Sequence, residues 1–185
     1  AKILNKIPKD KLLILDIDVT EFSNDYAILY QNFESNIYNG LKLCLEKIKK
    51  YDIINLVLSQ KSFQYTPNGI IQGFTKFCQD FDLKFDIIPD LEEEYDIQEN
   101  QAYIVFREFD LIKMINWCKK KNWEFGEDIG VISYDDTPLK EIISEGISVI
   151  SNDFALMGKK SAEIILNKIK GRIANAFYFQ DRNSL

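Results

Sequence analysis

GEDIGVISYDDTPLKEIISEGISVISNDFALMGKKSAEIILNKIKG, residues 126–171, is the most regular part of the chain and points directly to its architecture. It opens with a short apolar run, IGVIS, and reaches two adjacent acids, Asp135 and Asp136, behind Tyr134. PLKEII follows, with Pro138 suited to the first turn of a helix. A second apolar run, ISVIS, ends at Asn152-Asp153-Phe154, and beyond it apolar residues recur at helical spacing. Apolar strands that alternate with helices predict a parallel sheet covered on both faces. Such a sheet turns its ligand-facing loops to the carboxyl ends of its strands, where both polar clusters fall.

The same alternation extends toward the amino terminus. Residues 11–17 and 53–58 read as buried strands, 84–88 and 102–106 as two more. Helices are expected over 34–50, over the segment opening at Pro67, over 109–121 and over 153–170. The inward stripe of the second of these is read as Ile70, Ile71, Phe74, Phe77, Cys78 and Phe81. That of the third is Leu111, Ile112, Ile115 and Trp117. Residues 176–179 add an edge strand, and the acidic run 90–96 reads as a solvated loop or a frayed helix face. The fold class is therefore α/β, a doubly wound and mostly parallel sheet.

Bulk properties narrow the function. With 185 residues, 46% hydrophobic and 13% aromatic, the chain builds one ordinary domain or two small lobes. A net charge of -6 makes a poor surface for nucleic acid. The absence of histidine removes the usual general base and the commonest metal ligand. Cys44, Cys78 and Cys118 lie far apart, without Cys-x-x-Cys, and read as reduced, buried thiols of a cytoplasmic protein; neither a metal nor a cofactor is expected. No apolar run reaches the ~20 residues of a transmembrane helix, and no export signal leads the chain, so no membrane partner is expected.

Five clusters are expected on one edge of the sheet. They are Asp16 with Asp18, the loop 59–65 ending at Tyr65, Arg107 with Glu108, Tyr134-Asp135-Asp136, and Asn152-Asp153-Phe154. Carboxylates that accept from hydroxyls, an arginine that donates and aromatic faces suit a polyhydroxylated ligand. Each residue also has a plainer reading. Asp153 caps its helix first and meets a ligand second. Asp136 either caps the PLKEII helix or holds the loop, or else faces the ligand, and Phe154 either packs at a hinge or stacks on a sugar. Arg107 either meets the ligand or pairs with Glu108 or Asp110. Asp135 carries the strongest expectation of a ligand contact.

The order and chemistry of residues 126–171 resemble the closing segment of the LacI/GalR-type effector-binding domain, which is periplasmic-binding-protein-like (type I) and two-lobed. On that resemblance Asp16 matches the cleft acid of the first lobe, Asp135 the cleft acid of the second, and Phe154 the cleft aromatic. Arg107 stands where the family has Asn or Asp, and Ile70 where its sugar-binding members have Arg. YQNFESNIYNGL, ISNDFALMG and RNSL are most similar to regulators that carry a GntR-type winged helix-turn-helix. The expected divisions are a partial first lobe (1–50), a complete second lobe (51–150), a return to the first lobe (151–172) and a tail (173–185) forming an edge strand of the second lobe. The first lobe then has one strand and two helices, truncated at its amino side.

The expected function is non-enzymatic. The resemblance implies an effector-sensing domain of a bacterial transcription regulator, binding a carbohydrate between two lobes. It further implies a homodimer that reaches DNA through a separate amino-terminal head. One alternative is a stand-alone sugar-binding protein. Another comes from LLILDIDVT (residues 12–20), which is similar to the first motif of haloacid-dehalogenase-like, Mg²⁺-dependent phosphatases, with Asp16 as nucleophile and Asp18 as acid/base.

Overall fold

The structure is a computed structural model and describes residues 4–19, 25–58, 67–92 and 97–185. After two short 3₁₀ turns come β1 (Leu13–Asp16), β2 (Ala27–Tyr30), α1 (Phe33–Leu43), α2 (Leu45–Ile48) and β3 (Ile53–Val57). Then follow α3 (Asn68–Asp80), β4 (Phe85–Ile88), β5 (Gln101–Val105), α4 (Glu108–Lys121) and β6 (Gly130–Tyr134). The chain continues through α5 (Pro138–Ile142), β7 (Ser148–Asn152), α6 (Phe154–Leu166), β8 (Gly171–Ala174) and β9 (Phe177–Gln180). No helix among the described residues is long and apolar enough to cross a membrane.

Two compact units result. The smaller comprises Ala1–Asn32 and Asn152–Phe177, the larger Phe33–Ser151 and Tyr178–Leu185. The larger holds a six-stranded sheet in the order β4-β3-β5-β6-β7-β9, whose first five strands are mutually parallel. Tyr103, Val105, Leu111, Met114, Val131 and Ile147 fill one layer of its core. On α4, acids open the first turn and three lysines close the last, as the helix dipole favours, and Asn122 caps it in the left-handed conformation (φ 57°).

The smaller unit has a three-stranded parallel sheet, β1-β2-β8. Ala27, Leu29, Met157 and Ile164 make the core beneath α6. Its other face collects Tyr26 and Ile28 against Leu4, Leu12 and Ile14.

Several expectations are corrected here. The division falls after Asn32 rather than at residue 50, so α1 belongs to the larger unit, where it packs against α3. Gly73 explains the close approach: a Cβ there would lie 2.2 Å from the Glu34 carbonyl oxygen. The smaller unit gains two strands that were not expected, β2 and β8, and extends through Phe177, so only the residues from Tyr178 onward join the larger unit. The helix over 34–50 breaks at Cys44 into α1 and α2. Ile71 and Ile112, expected inward, are exposed. Each adjoins the buried stripe without sharing its 3.6-residue phase.

Candidate functional site

The carboxyl edge of the larger unit is built around the end of β6. Tyr134, the last residue of β6, is buried and stacks on Phe106, which follows β5, with ring centroids 4.8 Å apart and an interplanar angle of 22°. Asp135 turns the chain in the left-handed region (φ 58°), and its N–H donates to the Ile150 carbonyl at 2.9 Å. Beneath this turn lies Lys140, only 2% exposed, whose Nζ donates to the carbonyls of Tyr134 (3.0 Å) and Asp135 (2.6 Å). Burial pulls the Lys140 ammonium below the usual lysine range, against the opposing charges of Asp135, Glu108 and Asp136.

Asp136 shows the loop-holding role rather than the helix cap. Its N–H donates to Ser151 Oγ at 3.0 Å, and its carboxylate accepts both guanidinium nitrogens of Arg182, at 2.9 and 2.7 Å, and the Tyr178 hydroxyl at 3.3 Å. Position Thr137, not Asp136, opens α5, and no side chain caps it. Burial alone would raise the Asp136 carboxyl, but the Arg182 bonds and charge and the Tyr178 hydroxyl hold it below the usual carboxylate range. Arg182 also donates to the Ile147 carbonyl at 3.1 Å, and Ser184 Oγ donates to Val131 O at 2.7 Å. The carboxyl-terminal residues thus strap the ends of β6 and β7.

Arg107 follows β5 and shows the pairing that was the plainer reading, with Asp110 rather than Glu108. Its Nε and Nη2 donate to Asp110 at 2.8 and 2.6 Å, and Nη2 also reaches Asp90 at 2.9 Å. These acids hold the guanidinium within its own unit, so the ligand-donor role expected of Arg107 finds no support in this geometry. Tyr65 and the loop 59–65 lie outside the described residues.

In the smaller unit the ends of β1, β2 and β8 bring a second polar row to one edge. Asp16, at φ 79°, accepts from Gln31 Nε2 at 2.6 Å. Gln31 and Asn175 are both buried, and among the described residues Gln31 Oε1 and Asn175 Oδ1 meet no hydrogen-bond donor. Asn175 Nδ2 donates to Asn152 Oδ1 (3.0 Å) and to the carbonyl of Asp153 (2.8 Å). Asp153 caps α6, its Oδ1 accepting from Leu156 N–H at 2.7 Å. Phe154 opens α6 half exposed. Asp18, the second acid of the phosphatase alternative, is paired with Arg172.

Lys140, Arg182, Gln31 and Asn175 escaped the sequence reading. A signal existed for Gln31, since it ends the apolar run AILY as Asp16 ends LLILD. The cysteines are buried as expected, and burial pushes the thiols of Cys44 and Cys78 up to about 12 and that of Cys118 to about 11.

Residues 50–176 match the family described as periplasmic binding protein-like domain. A curated relative, the HTH-type transcriptional repressor PurR of Vibrio atlanticus, is 26% identical over 129 residues. That match takes in 70% of this chain and 36% of the repressor's length. Among solved structures, a lactose repressor bound to the anti-inducer ONPF is similar with a TM-score of 0.70 at 16% identity, covering 93% of this chain and 68% of that one. A periplasmic binding protein/LacI transcriptional regulator from Alkaliphilus metalliredigens, complexed with D-xylulofuranose, gives a TM-score of 0.69 at 13% identity, covering 93% and 69%. At these identities the structural likeness is one of fold, and that fold is the LacI/GalR-type α/β fold expected from residues 126–171.

Proposed function

The chain belongs to the periplasmic binding protein-like domain family, and from that premise we propose that it is the effector-sensing part of a bacterial transcription regulator. It binds a sugar or a related small polar molecule and catalyses no reaction. The observation that carries this reading is the Asp135 turn. A carboxylate stands at the carboxyl end of a central parallel strand, its backbone fixed by Lys140 and Ile150 and flanked by the Phe106–Tyr134 stack. Acceptor oxygens beside aromatic faces are what vicinal hydroxyls and the C–H faces of a sugar ring require. Asp16 and Phe154 are proposed as further contacts, and the sugar in the Alkaliphilus relative supports the ligand class.

The regulator acts in the cytoplasm as a homodimer and reaches DNA through a module outside this chain, of the kind that the curated repressor's name denotes. The exposed side chains of Phe109 (61%) and Ile112 (49%) on α4, with Leu139 (45%) and Ile142 (78%) on α5, support self-association. Ile115 of α4 and Ile143 just after α5 pack against the same core cluster. Sensing then requires that the ligand favour one arrangement of the subunits over another.

The test is a thermal-shift panel of sugars and sugar phosphates, with Asp135→Asn alongside. A ligand present at 100 times its Kd stabilises the chain by about 2.7 kcal/mol, and that response disappears in the variant. Mg²⁺-dependent phosphate hydrolysis that is lost in Asp16→Asn would overturn the sensing function in favour of the phosphatase.

A further inference from the structure

The smaller unit carries a hollow at the edge of its sheet opposite Asp16, Gln31 and Asn175. It lies where β1 and β2 begin and α6 ends, is open to solvent on one side and offers about 350 Å³. That volume is within the usual range of small-molecule sites, about 300–1,000 Å³. Its floor is apolar, made by Leu12, Leu13, Ala27, Ile164 and Ile169. Its rim holds Lys9, Lys11, Lys168 and Lys170 against a single carboxylate, Asp10. Lys9 is bonded to Asp25 at 2.9 Å. Among the described residues, Lys11, Lys168 and Lys170 have no ion-pair or hydrogen-bond partner on their side chains. In a chain of net charge -6, three such amines around one apolar floor are a local reversal of sign.

The backbone places one of these amines at the end of α6. α6 ends in a left-handed turn with Lys168 at φ 53°, and Ile169 N–H returns to the Ile164 carbonyl at 3.0 Å. Glycine is the residue favoured at such a turn, because a Cβ is strained there. A lysine there suits the negative end of the helix dipole, as on α4, and puts an amine at the rim of the hollow. The carbonyls of Glu163, Ile164 and Ile165 accept main-chain bonds in the same turn, which blunts the negative end of the helix facing the hollow.

We propose that this hollow binds an amphipathic organic anion, a carboxylate on an apolar body of roughly eight carbons, as a site separate from the effector contacts of the Asp135 edge. The apolar body leaves water on the floor of isoleucines and leucines, and the head group is held by Lys11, Lys168 and Lys170.

Sodium octanoate is the probe, titrated calorimetrically into the 185-residue chain beside octanol and acetate. Octanoate binds saturably, while octanol, lacking the charge, and acetate, lacking the body, do not. Lys168→Gly weakens octanoate at least about tenfold, the factor that 1.4 kcal/mol of lost head-group bonding yields, yet raises the melting temperature by relieving the left-handed turn. Lost affinity in that variant is therefore not lost folding, and Lys11→Gln weakens octanoate likewise. Octanol binding as tightly as octanoate, unchanged affinity in both variants, or saturable binding of an acidic amphipathic peptide with none of octanoate would each overturn the proposal. None of these outcomes bears on the sugar response or on Asp135→Asn.

Discussion

Lys140 lies buried under Asp135 and donates its ammonium to that residue's carbonyl oxygen at 2.6 Å. The same nitrogen reaches the Tyr134 carbonyl, so one charge holds two successive carbonyls of the turn that carries Asp135. Lys140→Met keeps the volume and removes the donors. We expect a loss of roughly 2 kcal/mol in urea unfolding, the scale of hydrogen bonds to a charged group. Because burial lowers the folded-state pKa of Lys140, the unfolded chain holds a proton that the folded chain has released as pH climbs toward 10.5. Stability therefore gains a rising component over that window, and Lys140→Met lacks it.

The Asp136–Arg182 pair makes the opposite prediction, at acid pH. The folded carboxyl sits below its ordinary value of 3.8, so its contribution is present above that value and is lost as pH falls through the folded pKa. Asp136→Asn flattens the acid limb of the stability–pH curve. Arg182→Ala costs on the order of 2 kcal/mol near neutrality, since it removes two charge-assisted bonds and the anchor on the Ile147 carbonyl. Denaturant midpoints at several pH values read both effects. An Arg182→Ala chain as stable as the parent would mean that the carboxyl-terminal strap is ornamental.

Gly73 is where α1 and α3 touch. A methyl group there would meet the Glu34 carbonyl oxygen at 2.2 Å and Ile37 Cγ2 at 2.5 Å, and backbone cannot move aside as a side chain can. Gly73→Ala should cost roughly 3 kcal/mol or more through overpacking. Gly158, where an added methyl group would meet nothing within 4 Å beyond its own stretch of helix, is the control: alanine there should stabilise by up to about 1 kcal/mol through helix propensity. Melting temperatures that move the same way in both variants would contradict the close helix contact.

What the chain reveals before folding depends on distance along it. β6, α5, β7 and the cap at Asp153 are local: apolar runs, a proline and an Asp each act within one turn or strand, so residues 126–171 could be parsed directly. The apolar stripe of α1 says that one face is buried but not against what, so the stripe alone does not place α1 in the larger unit. β2 and β8 are four residues each, and GRIA has too little apolar content to announce a strand. The partners of Arg107 and Asp136 are set by tertiary contacts: Asp90 lies 17 positions from Arg107, and Arg182 lies 46 from Asp136. Lys140 breaks the expectation that a lysine on a short surface helix points to water, and no neighbouring residue signals the exception.

Ile112 supplies a last prediction, about assembly. It is half exposed on α4 although its neighbours Leu111 and Met114 are in the core, and Phe109 lies one turn before it on the outer side of the same helix. If these residues and Ile142 form the homodimer contact, Ile112→Lys places a charge in an apolar interface, where it has no partner. Sedimentation velocity should then show the parent sedimenting as a dimer at micromolar concentration and the variant as a monomer. Since Ile112 is solvent-facing within one chain, the monomer's urea midpoint should change little, within about 0.5 kcal/mol for an exposed position. A variant that stays dimeric would move the self-association surface away from α4.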